Sequence, residues 1–120
     1  MKINMGMDGD IVVMELVGNL VASTAEQVKA QIAKLTQKGF KHVILELGGV
    51  DFMDSSGLGA CMAMHKSLLE KEGMLVCVRP SDAVAKVFRI TKADQKLSIA
   101  SARRDALKTL NAKILEDAKK

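Results

Sequence analysis

Aromatic side chains are scarce in this sequence, whose 120 residues include three Phe and neither Trp nor Tyr. Proteins that bind single-stranded nucleic acids stack the bases on aromatic side chains, and this chain offers almost no such surface. The formal net charge is +4, but the basic residues form no continuous run, so a solvated helix surface explains them better than a nucleic-acid site. We therefore expect no nucleic acid among the partners of this protein.

Cysteine is also rare, and the two cysteines do not form a CxxC pair. Cys61 and Cys77 lie inside apolar segments, which favours reduced, buried thiols over a disulfide or a zinc site. No metal and no cofactor are expected. No stretch approaches the run of about 20 apolar residues that spans a bilayer, and residues 1–10 carry charges where a signal peptide is apolar. These features predict a cytoplasmic protein without direct membrane insertion.

The apolar residues are sufficient for one core. The hydrophobic fraction is 48%, which predicts a single domain over residues 1–120. Lys2 to Met7 alternates apolar and polar residues, and Ile11 to Leu16 is apolar and partly β-branched. The Asp8-Gly9 turn between these two segments predicts a β-hairpin.

Helix and strand patterns alternate along the rest of the chain. The predicted helices are one capped by Ser23 or Thr24 and ended by Gly39, one that begins after Asp54 and is ended by Gly73, one begun by Pro80 and Ser81, and one capped by Ser101. The predicted strands between them are Val43–Leu47, Met74–Val78 and Leu97–Ile99. Crossovers of this kind connect parallel strands. We therefore expect an α/β fold with a mixed five-stranded sheet and four packed helices.

The segment from Val50 to Gly59 contains the sequence features closest to a catalytic motif. A nucleophile elbow requires glycine two residues before its serine, but Met53 and Asp54 occupy those positions. Gly57-Leu58-Gly59 resembles the start of a dinucleotide fingerprint, yet Met62 fills the third small position. An enzyme is therefore not expected.

Two groups of polar residues nearby have a structural interpretation and a functional one. Asp51 and Asp54 are candidates for a magnesium pair or for acid–base work, but the loop after a strand and the cap of the next helix explain them better. Cys61 and His65 lie one helical turn apart and are candidates for a soft metal. They share the apolar face with Leu58, so packing in the core is favoured.

A family resemblance is carried by residues 50–68, VDFMDSSGLGACMAMHKSL. This stretch resembles the signature of STAS domains, specifically of bacterial anti-sigma factor antagonists, in which a strand leads through a D-S-S-G turn into a helix. The Gly18-Asn19-Leu20 turn, the Thr24-Ala25-Glu26 helix start and the Phe88–Thr91 segment fall where the family has equivalents. The resemblance covers essentially the whole chain and implies a single STAS domain of the anti-sigma factor antagonist type.

The resemblance also implies a function and a site. In the family the second serine of the turn accepts a phosphate, which corresponds to Ser56, with Ser55 as the alternative. Unmodified antagonist binds an anti-sigma factor serine kinase, phosphorylation by that kinase releases it, and a serine phosphatase resets the cycle. The implied partner-binding residues are Asn19, Val21, Thr24, Asp54, Ser55, Ser56, Gly57 and Leu58.

A second function class remains open because the chain departs from the family at one position. The family commonly has aspartate where this chain has Val21, which removes a carboxylate from the implied partner surface. From Arg79 onward, 11 Lys and Arg stand against 5 Asp and Glu, an excess of +6. Both features suit the alternative of a non-catalytic STAS subunit of a lipid-transport or signalling assembly. The sequence leaves the oligomeric state open.

Overall fold

The computed structural model describes residues 1–119 of the chain. The predicted domain extends to Lys120, which lies outside the described residues. The strands are β1 (Lys2–Asp8), β2 (Ile11–Leu20), β3 (His42–Met53), β4 (Met74–Val78) and β5 (Ser98–Ala100). The helices are α1 (Ala22–Gln37), α2 (Ser55–Glu70), α3 (Asp82–Ile90), a short 3₁₀ helix (Ala93–Gln95) and α4 (Arg103–Ala118).

The five strands form one sheet in the order β1-β2-β3-β4-β5. β1 pairs antiparallel with β2 through the predicted hairpin, and Gly9 adopts a positive φ of 61° in its turn. The three remaining pairings are parallel, because a helix crosses over between successive strands. The prediction of a mixed five-stranded sheet with four helices is confirmed.

Helices cover both faces of the sheet, as the alternation of side chains along the strands requires. Val12 and Met14 of β2 point into the larger core, which contains the buried faces of α1, α2 and α3. Ile11 and Val13 point to the other side, where Ala106 of α4 helps to bury them. Residues that alternate along a strand therefore enter two different cores.

The helix starts differ from the predicted ones in two places. α1 begins at Ala22 with Val21 as its N-cap, so Ser23 and Thr24 lie inside the first turn and the prediction that one of them is the cap is wrong. The Thr24 hydroxyl instead accepts the backbone N–H of Val21, at 2.9 Å. α4 has Ala102 as its N-cap, and the Ser101 hydroxyl donates to the Asp105 carboxylate at 3.3 Å rather than capping the helix.

β2 and β3 are both longer than the sequence pattern predicts. The pattern ends each strand near glycine, at Gly18 and at Gly48-Gly49, since glycine commonly interrupts strands. The pairing between β2 and β3 nevertheless continues to Leu20 and Met53, with register irregularities on the way. Irregular pairing allows a strand to continue through such positions. The extended ends of these two strands position the candidate site.

Candidate partner-binding and modification site

The ends of β2 and β3 bring the two predicted site segments together. Leu20 and Met53 are partners at the carboxyl end of this parallel pair. The backbone N–H of Asp54 then donates to the Leu20 carbonyl oxygen at 3.3 Å. The turn that precedes α1 and the turn that precedes α2 therefore lie side by side at the carboxyl ends of β2 and β3.

Asp54 begins α2 as its N-cap. Its backbone is extended, and its carboxylate oxygen Oδ1 accepts the backbone N–H of Gly57 at 3.0 Å. The Asp54 carbonyl oxygen accepts the N–H of Leu58, also at 3.0 Å, so the helix is hydrogen-bonded from its first turn. The prediction that Asp54 helps to cap this helix is confirmed, and the bond to Gly57 gives the carboxylate a structural role.

Gly57 allows the two turns to touch. A Cβ atom built on Gly57 would clash with the Leu20 carbonyl oxygen and would lie 3.0 Å from the Leu20 carbonyl carbon. Any larger residue would therefore push the start of α2 away from the end of β2. The close contact depends on the absence of a side chain at this position.

Ser55 and Ser56 are the first two residues of α2, and both are exposed. Neither hydroxyl takes part in a hydrogen bond within residues 1–119. Their backbone N–H groups belong to the first helical turn, which has no acceptor within the helix, and the helix dipole places partial positive charge there. No acidic side chain lies within the first turn of α2, but the Asp54 carboxylate at the N-cap already accepts the Gly57 N–H. An anion at this end of the helix would therefore meet the N–H groups of Ser55 and Ser56, next to the Asp54 carboxylate.

The turn before α1 forms the neighbouring part of the surface. The Asn19 side chain is exposed and that of Val21 is half-buried. The Thr24 hydroxyl is committed to this turn, since it donates to the Asn19 carbonyl oxygen at 2.7 Å and accepts the Val21 N–H. Thr24 thus shapes the turn, whereas Asn19 and Val21 present their side chains on it.

Leu58 supplies an apolar side chain at the start of α2, and Phe52 is an exposed aromatic residue near the end of β3. Leu58 is half-buried and packs against the larger core. Phe52 is 51% exposed although it lies in β3 next to buried Met53. No local sequence pattern singles out Phe52 as a surface residue. The pairing of β4 with β3 ends at Val78 and Glu46, so the end of β3 extends beyond the neighbouring strand, which the local pattern does not reveal.

A buried carboxylate on the α4 face of the sheet was also missed. Glu46 is 2% exposed, and its Oε2 accepts the Nη2 and Nε groups of Arg79 at 2.8 and 3.2 Å. Its Oε1 accepts the Nε of Arg103 at 3.4 Å. The hydrogen bonds and charge of Glu46 raise the pKa of Arg79. These contacts attach the end of β4 and the start of α4 to β3.

The two thiols lie in the core rather than at the site. Burial raises the pKa of Cys61 to about 12 and that of Cys77 well above its usual value. Both thiols are therefore protonated near neutral pH, in which form they are weak nucleophiles and weak metal ligands. The prediction that both cysteines are buried is confirmed. No group of three or more His, Cys, Asp or Glu in residues 1–119 is arranged to hold a metal ion.

Comparison with known proteins identifies the family. The model of the STAS domain matches residues 2–106. BtrV of Bordetella bronchiseptica, which is named as an anti-sigma factor antagonist, is 30% identical over 106 residues, covering 88% of this chain and 91% of that protein. An anti-sigma F factor antagonist from Lysinibacillus sphaericus is 34% identical over 83 residues, covering 68% of this chain and 71% of that protein.

Solved structures agree with the sequence relatives. The anti-sigma factor antagonist SpoIIAA in its unphosphorylated form is 25% identical, with a TM-score of 0.78, covering 92% of this chain and 97% of that one. SpoIIAA of Bacillus in its phosphorylated form is also 25% identical, with a TM-score of 0.69, covering 90% and 98%. The chain belongs to the STAS domain family, and its relatives include anti-sigma factor antagonists.

Proposed function

We propose that this chain is a cytoplasmic anti-sigma factor antagonist that works by partner switching. Unmodified, it binds an anti-sigma factor serine kinase; phosphorylation of Ser56 by that kinase releases it, and a serine phosphatase restores it. The observation that carries the proposal is the exposed Ser56 hydroxyl at the start of α2, beside the turn that contains Val21. In this function the protein is a binding partner and not an enzyme.

The relatives support this proposal. Sequence relatives that cover most of this chain are named as anti-sigma factor antagonists. SpoIIAA has the same fold in both its phosphorylated and unphosphorylated forms. A domain of this architecture can therefore carry a phosphate without a change of fold, as a reversible switch requires.

The local physics explains why a phosphate would act on the complex rather than on the fold. A phosphoserine adds a charge of about −1.5 to −2 near pH 7. At the start of α2 that charge meets free backbone N–H groups and the positive end of the helix dipole, so the domain tolerates it. A partner pressed against the same turn would have to bury the charge, which costs binding free energy.

Val21 gives this chain a different surface from that of family members with aspartate at this position. The side chain of Val21 is aliphatic, uncharged and half-buried, and it lies in the turn next to the one that leads into Ser56. We infer that the kinase of this system makes an apolar contact at Val21. The aspartate variant of this residue, Val21→Asp, should therefore weaken binding to that kinase.

The proposal is tested with purified candidate kinases from the source organism. The chain is incubated with each kinase and ATP, and mass spectrometry locates any phosphate. Phosphate on Ser56 that disappears in Ser56→Ala is the expected result. Ser55→Ala is the matched control, because it removes the neighbouring exposed hydroxyl and should leave the modification in place.

Binding measurements test the second half of the cycle. Ser56→Asp should bind the same kinase more weakly than the unmodified chain, whereas Ser56→Ala should stay bound in the presence of ATP. Equal affinities of the two variants would contradict the switch.

The alternative function is a non-catalytic STAS subunit of a lipid-transport or signalling assembly. It is favoured by the uncharged Val21 and by exposed basic residues such as Arg104 and Lys108 on α4. No helix in residues 1–119 is long and apolar enough to cross a membrane. A chain that no kinase modifies, and that co-purifies stably with a transport ATPase, would establish this alternative.

A further inference from the structure

A groove of about 370 Å³ lies beside the candidate site, between the start of α2 and the turn that follows α3. Leu58 and Met62 contribute to it from the first two turns of α2. The other side is formed by Thr91, Lys92, Ala93, Gln95 and Lys96. Leu58 and Ser56 both belong to the start of α2 but project from different sides of the helix. A partner that covers Ser56 reaches the groove by extending around this end of the helix.

The α2 side of the groove is apolar. Leu58 and Met62 are half-buried, and both pack against the larger core with part of their surface open. Ile90 is the last residue of α3 and directly precedes the segment that forms the opposite side of the groove. Its side chain is 69% exposed. Apolar side chains of this size that stay partly open beside a candidate interface are suited to receiving an apolar side chain from a partner.

The opposite side of the groove is basic. Lys92 and Lys96 line it and are both exposed, and Arg89 lies in the preceding turn of α3. None of these three cations is in a salt bridge within the described part of the chain. Asp94 is the acidic residue in this turn, so the segment 89–96 has a net charge of +2 from three cations and one anion.

The backbone holds the two lysines in place. Lys92 has a left-handed backbone with a φ of 61°, and its N–H donates to the Arg89 carbonyl oxygen at 3.2 Å. The N–H of Lys96 donates to the Ala93 carbonyl oxygen at 3.0 Å. The positive charges are therefore attached to an ordered turn.

We propose that this groove binds an acidic segment of the anti-sigma factor that covers Ser56. An apolar side chain of that segment packs on Leu58 and Met62, and its carboxylates pair with Lys92 and Lys96. Charge complementarity selects this occupant, since neither Lys92 nor Lys96 is in a salt bridge within residues 1–119. The inference rests on the proposed function, because the partner is the same kinase.

Charge reversal tests the proposal directly. The dissociation constant of the kinase that phosphorylates Ser56 is measured for the unmodified chain, for the double variant K92E/K96E and for the control R104E/K108E on α4. We expect K92E/K96E to bind at least about tenfold more weakly, and the control to change affinity by less than about twofold. The difference should shrink at high salt, since exposed charges are screened.

Two features of the chain make these variants suitable. Glutamate tolerates the backbone of Lys92, because Glu72 already adopts a φ of 63° in this protein. The control R104E/K108E changes the net charge by the same amount, but on exposed side chains of another helix. A difference between the two variants therefore reports where the charge lies and not how much charge was changed. The neutral pair K92Q/K96Q should give an intermediate loss, which separates lost attraction from new repulsion.

The outcomes distinguish the two proposals. If K92E/K96E binds the kinase as tightly as the unmodified chain while Ser56→Asp binds more weakly, the groove proposal is wrong and the proposed function stands. If no kinase binds the unmodified chain, both are wrong. If K92E/K96E changes only self-association, measured by analytical ultracentrifugation, the occupant is a second copy and the proposal is overturned.

Discussion

Gly57 and Gly59 lie in the same helix, yet replacement by alanine should change stability in opposite directions at the two positions. A Cβ at Gly59 meets no atom within 4 Å. Gly59→Ala should therefore raise the free energy of unfolding by about 0.5–1 kcal/mol, because alanine favours the helix more than glycine does.

The same methyl group at Gly57 meets the backbone of Leu20, which cannot rotate away as a side chain would. Overpacking of this kind costs typically about 1–3 kcal/mol. After the gain in helix propensity, Gly57→Ala should lower the free energy of unfolding by about 0.5–2 kcal/mol. It should also separate the two turns of the candidate site and weaken binding to the proposed kinase partner, whereas Gly59→Ala should leave that binding unchanged.

Urea unfolding followed by far-ultraviolet circular dichroism measures both variants, since the chain has no Trp to report by fluorescence. The dependence of the unfolding free energy on urea should be unchanged, so that the shift in midpoint reports stability alone. Equal stabilisation by the two substitutions would refute the close contact between the start of α2 and Leu20.

Three further predictions concern single side chains. Asp54→Ala removes the carboxylate that accepts the Gly57 N–H and should cost about 0.5–2 kcal/mol in urea unfolding, with Asp54→Asn nearly neutral. Burial lowers the pKa of His42 below its ordinary 6.5, and the positive charges of Lys41 and Lys113 lower it further. Near and below pH 6.5 the unfolded state therefore binds more protons than the folded state, so the stability should fall as the pH drops below about 6.5. His42→Gln should flatten this pH dependence, measured by thermal unfolding. Arg79→Ala removes two hydrogen bonds to buried Glu46 and should lower the urea midpoint more than the exposed control Arg104→Ala; equal midpoints would contradict a structural role for this contact.

Much of the fold was predictable because the signals are local. The apolar runs of β2, β3 and β4 and the helical spacing in α2 follow from residues close together in sequence. The alternation of strands and helices then requires crossovers, which leaves few topologies beyond the observed one. The family signature around Ser56 is equally local, and it pointed to the turn that the structure leaves exposed.

Other features required the tertiary structure because they join distant residues. Glu46 is separated by 33 residues from Arg79 and by 57 from Arg103, so no local pattern reveals that this carboxylate is buried with partners. The start of α1 was misplaced because Ser23 and Thr24 are both good caps by type, whereas the geometry at the end of β2 selects Val21. The groove beside Leu58 likewise exists only where α2 meets residues 91–96.

The sequence by itself determined the order of the elements, the parallel topology and the position of the candidate serine, since each depends on the order and type of neighbouring residues. Only the tertiary structure decided which side chains share a surface. The parallel pairing of β2 with β3 continues to their last residues, and this places Val21 beside Asp54 and makes glycine necessary at position 57. Contacts of this kind depend on distances between chain segments, which periodicity and composition do not specify.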